Sequence, residues 1–150
     1  SRPTKAEKAA PERAPRAPRQ PRDPSKSKRK RGNPEHQLQI GVREYLDLAL
    51  PPRHPDVWWT AIDHANAASR MTGALRKARG VKAGIPDLHI LYRGRSIWIE
   101  LKAPRGSVSL EQKDVHLAIE KAGGFWHEAR SREEVRDILL GHGIRLMAHL

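Results

Sequence analysis

Two runs rich in β-branched and aromatic residues, Asp87 to Tyr92 and Ser96 to Lys102, stand on either side of Arg93-Gly94. Such a pattern reads as a β-hairpin closed by a short connection. A connection of two or four residues sets Asp87 directly opposite Glu100, with their Cβ atoms about 4.5 to 5.5 Å apart. A bulged three-residue loop would break that register. The period of two also sends Glu100 and Lys102 to one face and Ile97, Ile99 and Leu101 to the other. The hairpin thus offers an apolar face to a core and presents two carboxylates and an ammonium at one end.

That trio suits a hard divalent cation. Mg²⁺ takes oxygen ligands and keeps several waters, so one or two carboxylates plus a substrate phosphate satisfy it. Asp87 and Glu100 are the candidate ligands, the backbone carbonyl of Leu101 a candidate third, and Lys102 a candidate catalytic cation beside a scissile phosphate. Glu-x-Lys is by itself a common tripeptide pattern. The chain holds a second copy, Glu111-Gln112-Lys113. That copy falls in a helical stretch, where residues two apart do not share a face, and reads as surface charge.

The remaining segments frame the hairpin. Asn33-Pro34-Glu35 opens a helix as N-cap and first-turn proline, with Leu38, Val42, Tyr45 and Ala49 at helical spacing, so a helix is expected over 34 to 49. Val57 to Ile62 is a strand after Pro51-Pro52. A polar stretch from Asp63 to Ser69, with Asp63-His64-Ala65-Asn66 given no firm role, leads into a basic helix from Arg70 to Arg79. A helix begins at Ser109 with Leu110, Leu117 and Ala118 among its apolar positions, and Phe125 to Ala129 is a fourth strand. Ser131-Arg132-Glu133-Glu134 is a capping box for a last helix, with Val135, Ile138 and Leu139 facing inward. The expected fold class is α/β: a small mixed sheet flanked by helices, with an α-β-β-β-α-β core and a helical insertion.

Composition divides the chain. Residues 1 to 33 carry 12 Lys and Arg against 3 acids and six prolines, with no Leu, Ile, Val or aromatic residue. Such a segment cannot bury enough apolar surface to offset its ordering entropy, so the expected organisation is a disordered basic tail over 1 to 33 and one folded domain over 34 to 150. A proline-spaced basic tail is suited to polyanions, because each phosphate it neutralises releases counterions. DNA is the expected partner. Arg70, Arg76, Lys77, Arg79 and Lys82 in the insertion, with Arg105 after the lysine, are candidate phosphate contacts.

Three segments together resemble a known family. Lys82-Ala83-Gly84-Ile85-Pro86-Asp87, Trp98-Ile99-Glu100-Leu101-Lys102 and Ser109-Leu110-Glu111-Gln112 are similar to the signatures of the VRR-NUC domain, a branch of the PD-(D/E)XK nuclease superfamily with a restriction endonuclease-like core. The resemblance spans about residues 34 to 140. It implies a Mg²⁺ or Mn²⁺ dependent endodeoxyribonuclease with Asp87 and Glu100 as metal ligands and Lys102 as the catalytic lysine. Gln112 is similar to the family's additional active-site glutamine. Glu35, in Glu35-His36-Gln37-Leu38-Gln39, matches a first-helix glutamate, with Glu44 as its rival. Small stand-alone members resemble Holliday junction resolvases, which implies branched DNA as substrate, a homodimer with two matched sites, and a bacterial or viral source.

Other chemistries find no support. The chain has no cysteine, and its eight histidines lack ligand spacing, which leaves no basis for a zinc site. No Gly-x-x-x-x-Gly-Lys-Ser/Thr loop points to a nucleotide cofactor, and no Gly-x-Ser-x-Gly elbow to a serine nucleophile. No apolar run approaches the ~20 residues that span a bilayer, so no membrane association and an intracellular, cytoplasmic or nucleoid-associated location are expected. Trp58, Trp59 and Trp126 are expected to pack in the core, with an interface role as the alternative. A non-catalytic DNA-binding module on the same fold and a nuclease of flap or duplex DNA are the rival functions.

Overall fold

A computed structural model describes residues 32–62 and 70–150, with the side chains of residues 70–72 outside the description. Residues 1–31 of the expected disordered tail and the Asp63-His64-Ala65-Asn66 segment lie outside the described residues, while Asn33, the last residue of that tail, caps the first helix. The described part forms one unit, Gly32–Leu150. Its elements in chain order are α1 (Pro34–Ala49), β1 (Val57–Ala61), α2 (Arg70–Ala78), β2 (Leu88–Tyr92), β3 (Arg95–Leu101), α3 (Leu110–Lys121), β4 (Phe125–Ala129) and α4 (Arg132–Gly141). Among the described residues no helix is long and apolar enough to cross a membrane.

The sheet runs β1-β2-β3-β4, antiparallel across the first two pairs and parallel across β3 and β4, which α3 connects. The β2–β3 turn is Arg93-Gly94, with φ of 47° and 80°. Two successive positive φ values are the type I′ geometry, whose twist matches a two-residue hairpin, and Gly94 meets it without steric cost. The register follows: Tyr92 pairs with Arg95 and Leu88 with Ile99. Continued one step, it sets Asp87 against Glu100, as expected.

One face of the sheet builds the core. Ile97, Ile99 and Leu101 of β3 join Leu88, Ile90 and Tyr92 of β2 beneath Val42, Tyr45, Leu46 and Ala49 of α1 and Val135 and Leu139 of α4. Each such aliphatic side chain contributes about 1.5 to 3 kcal/mol on burial. The C-terminal segment, ambiguous in the sequence, belongs to this core: Ile144 and Leu146 are buried, and the Met147 N–H donates to the Ala49 carbonyl at 2.9 Å. Helix α1 is capped as expected, with Asn33 Oδ1 accepting from the Glu35 N–H. At α4 the box is only half formed. Ser131 Oγ accepts from the Glu134 N–H at 3.1 Å, but Glu134 Oε2 reaches one residue further back, to the Arg130 N–H.

Helix α3 departs from expectation on its apolar side. It buries no residue fully; Val115 and Ile119 turn half-buried toward the sheet, while Leu110 and Leu117 are 75% and 64% exposed. The face that meets the sheet is set by Gln112, Val115, His116 and Ile119, at i, i+3, i+4 and i+7. Leu110 and Leu117 lie off that stripe.

One buried and one half-buried polar feature carry predictions. The Tyr45 hydroxyl is buried and finds no hydrogen-bond partner among the described residues. An unsatisfied hydroxyl carries its desolvation cost without return. Tyr45→Phe is therefore expected to leave stability unchanged or raise it by up to about 1 kcal/mol, read as the urea midpoint; a loss above that would show a hidden partner.

His127 of β4 and His142, the C-cap of α4, hold their Nε2 atoms 2.8 Å apart. Burial lowers the pKa of both, helped at His127 by His142 and at His142 by Arg95. The unfolded chain binds protons more readily at these rings. Their contribution is thus present above the ordinary histidine value of about 6.5 and is lost as pH falls below it. Melting temperature is expected to drop between pH 7.5 and 5.5, and a His127→Asn/His142→Asn double variant to drop less over the same range.

Candidate active site

The site forms at the end of the hairpin, where its polar face meets the first turn of α3 and Gln39 of α1 reaches Asp87. Glu100 and Lys102 share that face, 2% and 7% exposed, with Lys102 Nζ 2.8 Å from Glu100 Oε1. Burial by itself would lower the Lys102 pKa. The hydrogen bond and charge of Glu100, with the charges of Glu35 and Asp87, outweigh it and hold the pKa above its ordinary value. Lys102 is therefore a fixed cation at neutral pH.

Gln112 joins from the first turn of α3. Its Nε2 donates to Glu100 Oε1 at 2.5 Å, while its Oε1 accepts from the Ser109 N–H at 2.9 Å and its own N–H donates to Ser109 Oγ at 3.2 Å. This is a complete capping box that also serves the site. An ionised glutamate could accept at the cap but could not donate to Glu100, whereas an amide does both, which explains glutamine rather than glutamate here.

Asp87, 7% exposed, precedes β2 directly after buried Pro86. Its carbonyl accepts from the Ile62 N–H, its Oδ2 from the Leu101 N–H at 2.7 Å, and its Oδ1 from Gln39 Nε2 at 3.2 Å. The carboxylate thus leans along the end of β3, a contact that register alone does not foretell. In a strand, the N–H and C=O of one residue face the same neighbour. Since the Lys102 N–H turns to Ala129 on β4, the Leu101 carbonyl faces the Asp87 side.

Glu35 is half-buried at the start of α1 and close enough for its charge to act on Lys102, whereas Glu44 is exposed. Gln39, four residues on from Glu35 and on the same helix face, is the residue that sequence reasoning overlooked. The available signal was that i, i+4 spacing. Arg130 was overlooked too. Its Nη1 donates to the carbonyls of Ala103, Pro104 and Gly106 at 2.8, 3.1 and 2.9 Å, and its Nη2 pairs with Glu128. The loop after Lys102, with Arg105 exposed on it, is therefore tied to β4.

The predicted basic residues divide. Arg76, Lys77 and Lys82 line one cleft with Gly73 and Gly80 to Gly84. Arg79 is exposed, and the Arg70 side chain is outside the description. In the decoy tripeptide, Glu111 and Lys113 are exposed as expected, and the residue between them is the one that enters the site.

The donor set fits a divalent cation. Two buried carboxylates and half-buried Glu35 surround a single buried ammonium, an excess of negative charge that a dication would neutralise. Among the described residues no group of three or more His, Cys, Asp or Glu is gathered for metal binding. Asp87 and Glu100 are hard oxygen donors of the kind a Mg²⁺ or Mn²⁺ ion would take, with water and substrate oxygens completing its shell.

No family model and no curated protein matches the chain. Among solved structures it is similar to a VRR_NUC domain protein, with a TM-score of 0.57 and 21% identity, over 73% of this chain and 88% of that one. The fold is the VRR-NUC, restriction endonuclease-like one that the three motifs led us to expect.

Proposed function

We propose that this chain is a metal-dependent endodeoxyribonuclease acting on branched DNA. The observation that carries the reading is the Glu100 carboxylate, 2% exposed, held at one oxygen by Lys102 at 2.8 Å and Gln112 at 2.5 Å. An arrangement that buries charge at this cost is common where charge must later be stabilised. Asp87, Glu100 and the Leu101 carbonyl would hold a Mg²⁺ or Mn²⁺ ion. When bound, such an ion supplies Lewis-acid polarisation of the scissile phosphate and acidifies a water.

The side chains do the rest. Lys102, fixed as a cation, offers N–H donors to a phosphate oxygen or to the attacking water and balances charge that builds on the phosphorane. Gln112 keeps the Glu100 carboxylate in one orientation, and Gln39 does the same for Asp87, so little reorganisation is needed when substrate arrives. Glu35 adds negative potential beside Lys102 and stands as a further acid–base candidate. Arg76, Lys77, Arg79 and Lys82, with Arg105 and Arg70, would follow the phosphate backbone. A branched substrate and a two-fold dimer are the finer parts of this reading, supported by the likeness of the motifs to junction-resolving members.

The test is cleavage of a labelled four-way junction beside flap, duplex and single-stranded DNA, with Mg²⁺ and with chelator, using Glu100→Gln as control. Metal-dependent cutting favouring the junction is expected. Absence of cutting of every substrate would sink the enzyme reading, and equal cutting of all would remove only the preference.

A further inference from the structure

Behind the carboxylates, the same sheet face carries an aromatic row. Trp98 projects on the Glu100 side of β3, two residues back, a separation of about 7 Å. His89 lies directly opposite Trp98 on β2 and stacks on it, with centroids 4.1 Å apart and planes at 14°. Trp58 of β1 meets His89 edge-on at 6.3 Å and 78°. Trp126, beside Trp98 on β4, is covered by His116 of α3 at 4.0 Å. The cover ends there. Trp58 is 58% exposed and neighbouring Leu91 41%. The expectation of core packing holds for Trp59, which packs against the core and donates to the Leu50 carbonyl, and fails for Trp58. Trp58 sits on the opposite face from the core, paired with Leu91 and in line with His89.

Beside Trp98 a groove of about 690 Å³ opens between the sheet and α3. Its lining includes Trp98 and Ser96 of the sheet, Val115 and Ile119 of α3, and Ile85 and Lys82. Lys82 also lines the cleft that holds Arg76 and Lys77, so apolar groove and basic wall are continuous. Across the groove Glu111 and Asp114 would repel phosphate. The surface therefore offers stacking area on the inside and one cationic side, the pattern of a strand that buries bases and keeps its phosphates on the basic wall. A second copy of the chain would have to bring the same basic wall against itself, which like charge disfavours.

We propose that Trp58, His89, Trp98 and the adjoining groove form a stacking platform for unpaired nucleobases of the strand whose phosphate lies at Glu100 and Lys102. This rests on the nuclease reading and deepens it, because it makes unpaired nucleotides next to the cut the feature that the enzyme grips.

The test is equilibrium binding of the full chain, without metal, to labelled oligo-dT and to a blunt duplex of equal length. Trp58→Ala is expected to weaken oligo-dT binding about tenfold, the worth of one aromatic stack, and to leave duplex affinity within about twofold. Trp58→Phe should restore oligo-dT binding, and its preserved ring guards against misfolding as the cause. Equal weakening on both ligands, or on neither, would overturn the proposal. So would a Trp58→Ala change in sedimentation with oligo-dT affinity intact, which would assign the face to a second copy. Metal-dependent cleavage by the unaltered chain is scored separately: its absence removes the nuclease and leaves the oligo-dT result standing.

Discussion

Lys102→Met is expected to lower metal-dependent cleavage about 10³-fold, the scale of losing one well-placed electrostatic donor, and to cost about 3 to 5 kcal/mol of stability without metal. The second effect arises because Glu100 is 2% exposed and Lys102 Nζ, at 2.8 Å, neutralises it. Removing one partner of a buried pair leaves its charge uncompensated, whereas replacing both by neutral groups of similar size is nearly cost-free. Glu100→Gln should therefore destabilise as well, while Glu100→Gln/Lys102→Met recovers most of the loss. Urea unfolding of the four proteins gives the coupling directly. Strictly additive single losses would mean that the two charges do not sense each other, and the electrostatic account of the site would fall.

Gln112→Glu is the second large effect, and its sign depends on pH. The substitution keeps an acceptor for the Ser109 N–H, so the helix cap survives. It replaces the Nε2 donor, 2.5 Å from Glu100 Oε1, with an oxygen that repels it. Two carboxylates this close share a proton rather than both ionise. The variant should lose about 1 to 3 kcal/mol at pH 8 and regain part of it on acidification, since the native state now binds a proton that the unfolded chain binds less tightly. Cleavage should fall at least tenfold. Gln112→Ala loses the cap acceptor and the donor together, so its stability should run parallel to the parent across the same pH range. Parallel curves for Gln112→Glu would show that Gln112 and Glu100 are not in contact.

Much of the fold was legible because local and global signals agree. Arg93-Gly94 suits a type I′ turn, and that turn alone sets the register on which the Glu100–Lys102 face depends. Asn33-Pro34 announced its helix through cap chemistry, whereas the box between Ser109 and Gln112 emerged only in the fold. What escaped was fixed by partners far away in sequence. Gln39 is an ordinary helix-surface glutamine until Asp87 is brought to it, and Arg130 looks like a charged loop residue until three carbonyls of the 103–106 loop converge on it. Trp58 looks like any strand tryptophan, because composition does not say which face of a sheet stays uncovered. The outward turn of Leu110 and Leu117 was hidden for the same reason: the stripe of α3 that meets the sheet is chosen by the cap at Ser109 and the reach of Gln112.

Gly84 shows how tightly the two halves of the site are tied. It holds φ at 79°, and a Cβ there would stand 2.5 Å from the Glu111 carbonyl and 2.7 Å from the Gln112 nitrogen. The loop that delivers Asp87 therefore rests directly on the peptide that delivers Gln112, with no side chain as a spacer. Any larger residue would act as a wedge, pushing the aspartate's loop and the glutamine's helix apart together. The spacing between the aspartate and the glutamine that orients Glu100 is thus gauged by the thickness of bare backbone, with no rotatable side chain to take up slack.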